Sequence, residues 1–316
     1  MVDLPFVSVI VPAKNEQQFI GDCIDSLLSQ SYPPDLYEII VVDNLSTDNT
    51  AQIVAAKGIT VLTCASTSIG GVRNFGAKHS CGDILAYIDA DCVAPDFWIS
   101  GSVERLVVDN LSAVGGDALK RPKGSWVEQW WVLPISHSVP EEFTLNGCSM
   151  FFYKRLFKDL GGFDESINAS EDRLFSKKVS AAEGKVEWSS ASDVIHYGNP
   201  QTLSQFFKRQ FWHASSYVKT GLGWKDKTFM FSLLYLMGLI FTALSLISGF
   251  FIFLIIGLIF VFFGPFLFSL KKVYLSKGYN KFYFFPILFL SNVYFAGRSL
   301  GLIYSFSGKN FVRKKE

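Results

Sequence analysis

The segment Ile84–Cys92 (ILAYIDADC) constrains the fold most, because an apolar run leads directly into two aspartates with one residue between them. A short apolar run predicts a strand that is buried on both faces of a parallel sheet. In open α/β sheets, ligands bind beyond the carboxyl ends of such strands. Asp89 and Asp91 would then face a ligand, and their oxygen atoms suit Mg²⁺ or Mn²⁺. A solvated pair of surface aspartates is the ordinary alternative.

Predicted strands and helices alternate along the chain that precedes this segment. The sequence predicts three more apolar strands, at Phe6–Ile10, Tyr37–Val42 and Ile59–Thr63. The segments between the strands carry apolar residues at helical spacing. Four such alternations predict an α/β fold with a parallel, doubly wound sheet. Polar residues follow the strands, which suits a nucleotide site at one edge of the sheet: Asn15 and Glu16, Asp43 and Asn44, Asp89 and Asp91.

Five segments carry a family resemblance, in the family's order and over about the first two-thirds of the chain. They are VSVIVPAKNEQQFI (7–20), IIVVDNLSTDNT (39–50), GGVRNFGAKHSCGDILAYIDADC (70–92), NGCSMFFYKRLFKDLGGFDES (146–166) and SEDRLFSKKV (170–179). The sequence resembles the family 2 glycosyltransferases, which use nucleotide-diphospho-sugars. The resemblance implies a GT-A catalytic domain with a Rossmann-like, mostly parallel sheet. Asp43-Asn44 departs from the two acidic residues that the family usually has there.

The resemblance assigns donor-binding roles to the first half of the chain. It implies a nucleoside cradle in which Glu16 accepts hydrogen bonds from ribose hydroxyls; the cradle residues are Pro12, Ala13, Asn15 and Glu16. Asp43 could accept the imide N–H of uracil, unless it is only a strand-end turn residue. Arg73 resembles the family's arginine beside the diphosphate, where a guanidinium matches phosphate oxygens. A solvated helix charge is the alternative for Arg73.

The resemblance also implies metal ligands. Asp91 would bind a divalent cation directly, and Asp89 would bind the donor sugar, the ribose or a metal-bound water. His196, which follows a further strand in SDVIHYGNP, could add a metal or diphosphate contact. A histidine at the end of a strand is otherwise a hydrogen-bonded structural residue.

Two acidic residues, Glu171 and Asp172, begin a predicted amphipathic helix. By family position, Asp172 would remove a proton from the acceptor hydroxyl as that hydroxyl attacks the anomeric carbon. A single displacement of this kind inverts the anomeric configuration. The alternative is that both residues are there because a helix dipole favours acidic side chains in the first turn.

Composition excludes some classes of function. At 316 residues, the chain has room for a catalytic domain and a smaller second part. Its net charge of +1 lacks the basic excess that is typical of nucleic-acid binding. The five cysteines are odd in number and lack CxxC spacing. We expect free thiols in a reducing compartment and no zinc site.

A long uncharged segment, Phe229–Leu270, predicts membrane insertion. Its length fits two spanning helices, about 229–247 and 250–270, with a turn near Ser248–Gly249. A buried soluble hairpin is the alternative. The lysines that follow, at positions 271, 272, 277 and 281, indicate a cytoplasmic connection. The sequence therefore predicts a multi-pass protein of the plasma (inner) membrane with a cytoplasmic catalytic domain.

A third apolar segment, Phe282–Phe306, is interrupted by Pro286, Asn292 and Arg298, and a basic tail follows it. It either spans the bilayer or forms a re-entrant or interfacial helix, and the tail charge favours the second arrangement. Thr202–Thr220 mixes aromatic and basic residues, which suits either an interfacial helix or a domain-packing helix. The predicted divisions are a catalytic domain (1–200), an amphipathic linker (201–228) and a membrane domain (229–316).

These features together predict a membrane-anchored, metal-dependent, inverting glycosyltransferase of cell-envelope glycan synthesis. Its partners would be a nucleotide-sugar donor, which the Asp43 acceptor favours as UDP-linked, and a lipid or lipid-linked glycan acceptor, with no nucleic acid. Two alternatives remain. One is a synthase that glycosylates polyprenyl phosphate itself, and the other is a non-catalytic membrane sensor of nucleotide or lipid.

Overall fold

The computed structural model describes residues 4–133, 143–167, 170–215, 227–276 and 280–306. The chain forms two compact units. One comprises Met1–Arg121 and Pro140–Gly198, and we call it the sheet unit. The other comprises Pro122–Val139 and Asn199–Lys314, and we call it the helical unit. Residues 122–139 thus group with the helical unit, although the predicted division placed them in the first domain.

The sheet unit contains a large sheet and a small one. Its strands are β1 (Val7–Ala13), β2 (Tyr37–Asp43), β3 (Thr60–Thr63), β4 (Ile84–Ile88), β5 (Cys92–Val93), β6 (Ala113–Gly115), β7 (Ala118–Leu119), β8 (Ser149–Tyr153), β9 (Val186–Trp188) and β10 (Val194–His196). The large sheet has the order β3-β2-β1-β4-β8-β6-β9, and the small sheet has the order β5-β10-β7. The first four strands are parallel, whereas β8 runs antiparallel to both of its neighbours. The predicted mostly parallel GT-A sheet is confirmed.

Helices connect the strands and form the second unit. The sheet unit has α1 (Ile20–Leu28), α2 (Thr50–Ala56), α3 (Ile69–His79), α4 (Trp98–Val108), α6 (Lys154–Asp159) and α7 (Glu171–Ala181). The helical unit has α5 (Trp126–Trp131), α8 (Leu203–Ala214), α9 (Lys227–Ser248), α10 (Phe251–Leu275) and α11 (Phe284–Phe306). Short 3₁₀ turns lie at Pro34–Leu36, Ser190–Ser192 and Lys281–Tyr283.

The central strands are apolar on both faces because helices cover both faces of the sheet. Every residue of β1 and β4 is buried. Successive side chains of a strand point to opposite faces. Ile84, Ala86 and Ile88 accordingly pack into one core cluster, and Leu85 and Tyr87 pack into the other. This double burial explains why the strand before Asp89 reads as an unbroken apolar run.

Helices α9, α10 and α11 are each long and apolar enough to cross a membrane. Gly249, with φ +74°, forms the turn between α9 and α10, where the sequence predicts it. The third predicted segment is one unbroken helix of 23 residues. Pro286 does not interrupt it, since a proline in the first helical turn removes no intrahelical hydrogen bond. The predicted hairpin is therefore followed by a third candidate span.

The contacts of α11 concentrate at the open end of the α9–α10 hairpin, away from Gly249. Ser299 donates a hydrogen bond to the Ser232 carbonyl at 2.7 Å, and Ser269 bonds Ser291 at 2.8 Å. On the side of α8, the rings of Phe211 and Tyr304 are 5.7 Å apart. Half of the residues in the apolar 18-residue stretch of α11 are buried, whereas 17% are buried in the corresponding stretches of α9 and α10. Its length allows a span, and its packing is that of a helix held between α8 and the end of the hairpin.

Candidate active site

Two turns at the carboxyl edge of the large sheet are joined by hydrogen bonds. The backbone N–H groups of Asn15 and Glu16 donate to the hydroxyls of Ser46 and Thr50, at 2.9 and 2.8 Å. Asn15 Oδ1 accepts from the Thr47 N–H at 2.8 Å. The turn after β1 is therefore fixed to the turn after β2, and the side chain of Asn15 is used in fixing it.

The remaining residues of the predicted nucleoside cradle are buried around that turn. Pro12 and Ala13 end β1, and Ala13 pairs in register with Asp43 of the neighbouring strand. Glu16 is 6% exposed, and its carbonyl accepts the N–H groups that begin α1. The structure thus brings the four cradle residues together at the edge of the sheet where Asp43 lies.

Asp43 carries a buried acceptor atom. Its side chain is 5% exposed, and Oδ2 accepts from the Ser46 N–H at 3.2 Å. Oδ1 is buried and has no hydrogen-bond partner among the described residues. A buried acceptor without a donor costs free energy, so an N–H group of a ligand would be favourable at this atom.

Asn44 has a structural reason to differ from the acidic residue usual in the family. Its Nδ2 donates to the Ser66 carbonyl and its Oδ1 accepts from the Ser66 N–H, both at 3.0 Å. An ionised aspartate can accept hydrogen bonds and cannot donate them. The amide therefore ties the loop before α3 to the end of β2, which a carboxylate could not do with both atoms.

Arg73 lies inside the protein between two acidic residues. It is 2% exposed, ion-pairs with Glu171, and donates to Asp89 Oδ1 at 2.8 Å and to the Gly147 carbonyl at 3.1 Å. A Cβ on Gly147 would overlap the guanidinium, so only glycine permits this approach. Burial opposes the charge, but Glu171, Asp89 and Asp172 together raise the pKa of Arg73. The sequence predicts that Arg73 contacts a diphosphate. In the structure, its guanidinium contacts protein groups instead.

The two adjacent acidic residues of α7 have different environments. Glu171 is 4% exposed and faces Arg73; burial raises its pKa to about 7 although Arg73 acts to lower it. Asp172 is half-buried. Its Oδ2 accepts from the Gly147 N–H at 2.8 Å and its Oδ1 from the Arg173 N–H at 2.6 Å. Asp172 is therefore the more accessible carboxylate, and Glu171 holds Arg73.

The predicted metal residues meet where the two sheets adjoin. β10 pairs antiparallel with β5, which places His196 opposite Cys92. His196 Nε2 consequently lies 3.3 Å from Asp91 Oδ1. Asp89 Oδ2 accepts from the Cys148 thiol at 3.4 Å, and burial raises the pKa of Asp89 although Arg73 acts to lower it.

Asp91 and His196 fit a divalent cation. Adjacent ligands on an octahedral ion with bonds of about 2.1 Å are about 3.0 Å apart, which is close to the observed separation. The ligand atoms of Cys92, Cys148 and His196 also lie within 4.8 Å of one another. A soft cation could therefore use the thiolates, whereas a hard one would use the carboxylate. The expectation of no zinc site rested on sequence spacing, and these three residues are too far apart in sequence for spacing to reveal them.

The sequence predicts no role for the turn Asn146–Cys148, which lies in one of the five segments that carry the family resemblance. Gly147 bonds both Arg73 and Asp172, and Cys148 bonds Asp89. The available signal was the motif NGCSM directly before a buried strand. The turn connects the predicted metal residues to the predicted base.

The site and the fold define the class of protein. The model of the family "Glycosyl transferase family 2" matches residues 8–180, which is more than half of the chain. The protein belongs to this family and is a glycosyltransferase of the GT-A fold.

Individual relatives are similar over different lengths. Glycosyltransferase AglE of Haloferax volcanii is 28% identical over 219 residues, which are 66% of this chain and 71% of that protein. The dolichyl N-acetyl-alpha-D-glucosaminyl phosphate 3-beta-D-2,3-diacetamido-2,3-dideoxy-beta-D-glucuronosyltransferase of Methanococcus voltae is 25% identical over 162 residues, 48% of each chain. The poly(ribitol-phosphate) beta-glucosyltransferase of Bacillus spizizenii is 27% identical over 206 residues, 60% of this chain but only 32% of that protein.

Solved structures share the fold. The mannosyltransferase PcManGT from Pyrobaculum calidifontis, in complex with GDP-Man and Mn²⁺, matches with a TM-score of 0.58 at 20% identity, over 92% of this chain and 87% of that one. TarS of Staphylococcus aureus in complex with UDP matches with a TM-score of 0.53 at 18% identity, over 96% of this chain and 92% of that one.

Glu171→Gln should change how stability depends on pH. The pKa of Glu171 is raised in the folded protein from 4.5 to about 7, so the folded state holds this proton more tightly than the unfolded state. Its contribution is fully present below about pH 4.5 and is lost as pH rises through about 7. The difference in melting temperature between wild type and variant should therefore fall across this window, by the equivalent of at most about 3 kcal/mol. Glu187→Gln, on a half-exposed carboxylate, is the control; a constant difference for Glu171→Gln would contradict the prediction.

Proposed function

We propose that this protein transfers a sugar from a nucleotide-diphospho-sugar to a lipid or lipid-linked acceptor at the cytoplasmic face of the membrane, with inversion and with a divalent cation. One observation carries the proposal. Asp43 ends β2, Asp89 and Asp91 follow β4, His196 lies 3.3 Å from Asp91, and Arg73 and the Asn146–Cys148 turn join Asp89 to Asp172.

The nucleoside would bind at the turn after β1. The unpaired Oδ1 of Asp43 matches the imide N–H of uracil, which supports a UDP-linked donor over a cytidine one. TarS has been solved with UDP, whereas PcManGT has been solved with GDP-Man. Guanine also presents N–H donors, so a panel of UDP-, GDP- and CDP-sugars is the direct test of the base. Binding of the CDP-sugar alone would contradict the role of Asp43.

A bound Mn²⁺ or Mg²⁺ would neutralise charge on the diphosphate. Asp91 and His196 would hold the cation, and Asp89 would lie beside the donor. Arg73 would keep the Asp89 carboxylate in place through their 2.8 Å hydrogen bond. In this arrangement Arg73 is a positioning residue, since its guanidinium binds Asp89, Glu171 and the Gly147 carbonyl.

Asp172 would accept the proton of the acceptor hydroxyl. The Gly147 N–H fixes one of its oxygens, and the half-buried position leaves the side chain partly accessible. Attack of that hydroxyl on the anomeric carbon forms the new glycosidic bond as the bond to the diphosphate breaks. With no covalent intermediate, the anomeric configuration inverts.

The membrane assignment rests on α9, α10 and the two lysines near the end of α10. Positive residues favour the cytoplasmic side of a span. Lys271 and Lys272 lie in the last turns of α10, so the open end of the hairpin would face the cytoplasm and Gly249 the opposite side. Because α11 packs at that open end, we propose that it is re-entrant or interfacial and that Phe306 at its end lies on the cytoplasmic side. Lys277 and the basic tail lie outside the described residues.

Asp91→Asn should abolish transfer and weaken Mn²⁺ binding, because a neutral amide is a poorer ligand than a carboxylate. Activity should be measured with a donor panel and native lipids, and Mn²⁺ binding by calorimetry. Asp159→Asn, on an exposed carboxylate, is the matched control and should retain both. Full activity of the Asp91 variant, or a wild type that is indifferent to EDTA, would contradict the metal assignment.

Asp172→Asn should lower kcat by about 10²–10⁴-fold while donor affinity changes little, because a positioned base contributes that much to rate. Turnover and calorimetric donor binding should be measured on the same preparations. A polyprenyl phosphate acceptor is already ionised and needs no base, so a much smaller loss would favour that alternative. Loss of both turnover and donor binding would mean that Asp172 holds the turn at Gly147.

The position of α11 predicts a labelling pattern. A membrane-impermeant maleimide should label Phe306→Cys from the cytoplasmic side and Phe250→Cys from the opposite side of sealed vesicles. Both residues are well exposed in the structure, and exposed Cys81 should be replaced by serine in the background. Labelling of both cysteines from the same side would show that α11 spans the bilayer.

A further inference from the structure

Three ligands that suit a soft metal ion meet inside the sheet unit from distant parts of the chain. Cys92 begins β5, Cys148 lies in the turn before β8, and His196 ends β10. One ligand atom from each residue lies within 4.8 Å of the other two. All three residues are buried, with exposures of 0%, 7% and 3%. Two thiols and an imidazole at this spacing are a ligand set typical of Zn²⁺ and not of Mg²⁺ or Mn²⁺.

Asp91 is placed to supply a fourth ligand to such an ion. Its Oδ1 lies 3.3 Å from His196 Nε2 and 4.0 Å from the Cys92 sulfur. A tetrahedral Zn²⁺ ion with bonds of about 2.0–2.3 Å holds neighbouring ligand atoms about 3.4–3.8 Å apart. Both observed separations are close to these values, so small side-chain rotations complete a four-coordinate site. The carboxylate and the imidazole therefore suit either kind of cation, and the two thiols favour the soft one.

The soft and the hard cation cannot bind at the same time. The hard cation of the proposed function uses Asp91 and His196, and the lone pair of one ring nitrogen binds only one ion. A soft cation takes both of these residues and adds the two thiolates. It also withdraws the Cys148 thiol from Asp89 Oδ2, to which this thiol donates at 3.4 Å. Binding of a soft cation therefore displaces the hard one and removes a hydrogen bond from Asp89.

We propose that Cys92, Cys148 and His196, with Asp91 as the fourth ligand, form a binding site for a thiophilic divalent cation such as Zn²⁺, which inhibits the protein by displacing Mn²⁺ or Mg²⁺. As the two metal–sulfur bonds form, the two thiol protons pass to the solvent, so the step requires no oxidant or reductant. The ligand site depends on the geometry of these residues alone, and its inhibitory role rests on the proposed function.

Titration of the full-length, metal-free protein with Cd²⁺ tests the ligand site, because cadmium–thiolate bonds absorb ultraviolet light. The background carries Cys64→Ser and Cys81→Ser, which remove the two cysteines that are not buried. Cys92→Ala and Cys148→Ala should each weaken Cd²⁺ binding at least about tenfold, since even the loss of an indirect partner of a metal costs about 10–100-fold. Full cadmium–thiolate absorption in both variants would overturn the proposal.

The matched control is Cys23→Ala. Cys23 is equally buried, and its thiol donates to the Asp89 carbonyl at 3.7 Å, but it is not one of the three clustered ligands. This variant should bind Cd²⁺ as wild type does, and an equal loss in all three alanine variants would overturn the proposal. Melting temperatures identify a variant that fails to fold, and the other cluster variant then decides.

Competition between the cations tests the inhibitory role. Electron paramagnetic resonance measures free Mn²⁺, and Zn²⁺ should release bound Mn²⁺ from wild type. Cys92→Ala keeps Asp91 and His196, so its Mn²⁺ affinity should stay within about twofold of wild type. Release of Mn²⁺ from this variant should need at least about tenfold more Zn²⁺. Simultaneous binding of Zn²⁺ and Mn²⁺ to wild type would overturn the inhibitory role.

Sugar transfer separates this inference from the proposed function. Zn²⁺ should inhibit transfer by wild type at concentrations that leave Cys92→Ala active, and a chelator followed by Mn²⁺ should restore wild type. If the protein transfers no sugar from any nucleotide donor while Cd²⁺ still binds through the two cysteines, the proposed function fails and the ligand site stands. If transfer requires Mn²⁺ but cadmium–thiolate absorption survives both cluster substitutions, this inference fails and the proposed function stands.

Discussion

The ion-pair network around Arg73 joins three separate segments of the candidate site. One buried guanidinium joins helix α3 to Asp89 after β4, to the turn before β8, and to Glu171 at the start of α7. Removing one partner of a buried ion pair leaves an uncompensated charge, which costs about 3–5 kcal/mol. The relative positions of Asp89 and Asp172 therefore depend on a buried cation that need not touch a substrate.

Around this cation, the acidic residues divide into two kinds. Glu171 is drawn inward, and burial raises its pKa. Asp172 is instead half-buried and accepts from the Gly147 N–H, at a position where a ligand could reach it. Environments that separate neighbouring carboxyl groups in this way are a general means of assigning them different chemical roles.

The sequence anticipated the elements that depend on local patterning. Strands β1 to β4 are found where short apolar runs predict them, and the turn between α9 and α10 is found at Gly249 as predicted. Both predictions succeed because each depends on a pattern of only a few residues. It did not anticipate that β8 would insert antiparallel beside β4, nor that α5 would group with the three candidate membrane spans. α5 covers only six residues and follows a stretch without a clear period, so its packing partners could not be read from its composition.

The sequence by itself determined which chemical groups lie at the carboxyl edge of the sheet, because each follows directly after a strand whose apolar pattern fixes its end. It also determined that a helical hairpin of spanning length exists, because an uncharged segment of that length has no polar face to expose to water. Only the tertiary structure decided which groups touch. His196 reaches Asp91 because β10 pairs with β5, and Cys148 reaches Asp89 because β8 pairs with β4. Strand pairing between distant segments depends on the packing of the whole core, and no local pattern encodes it.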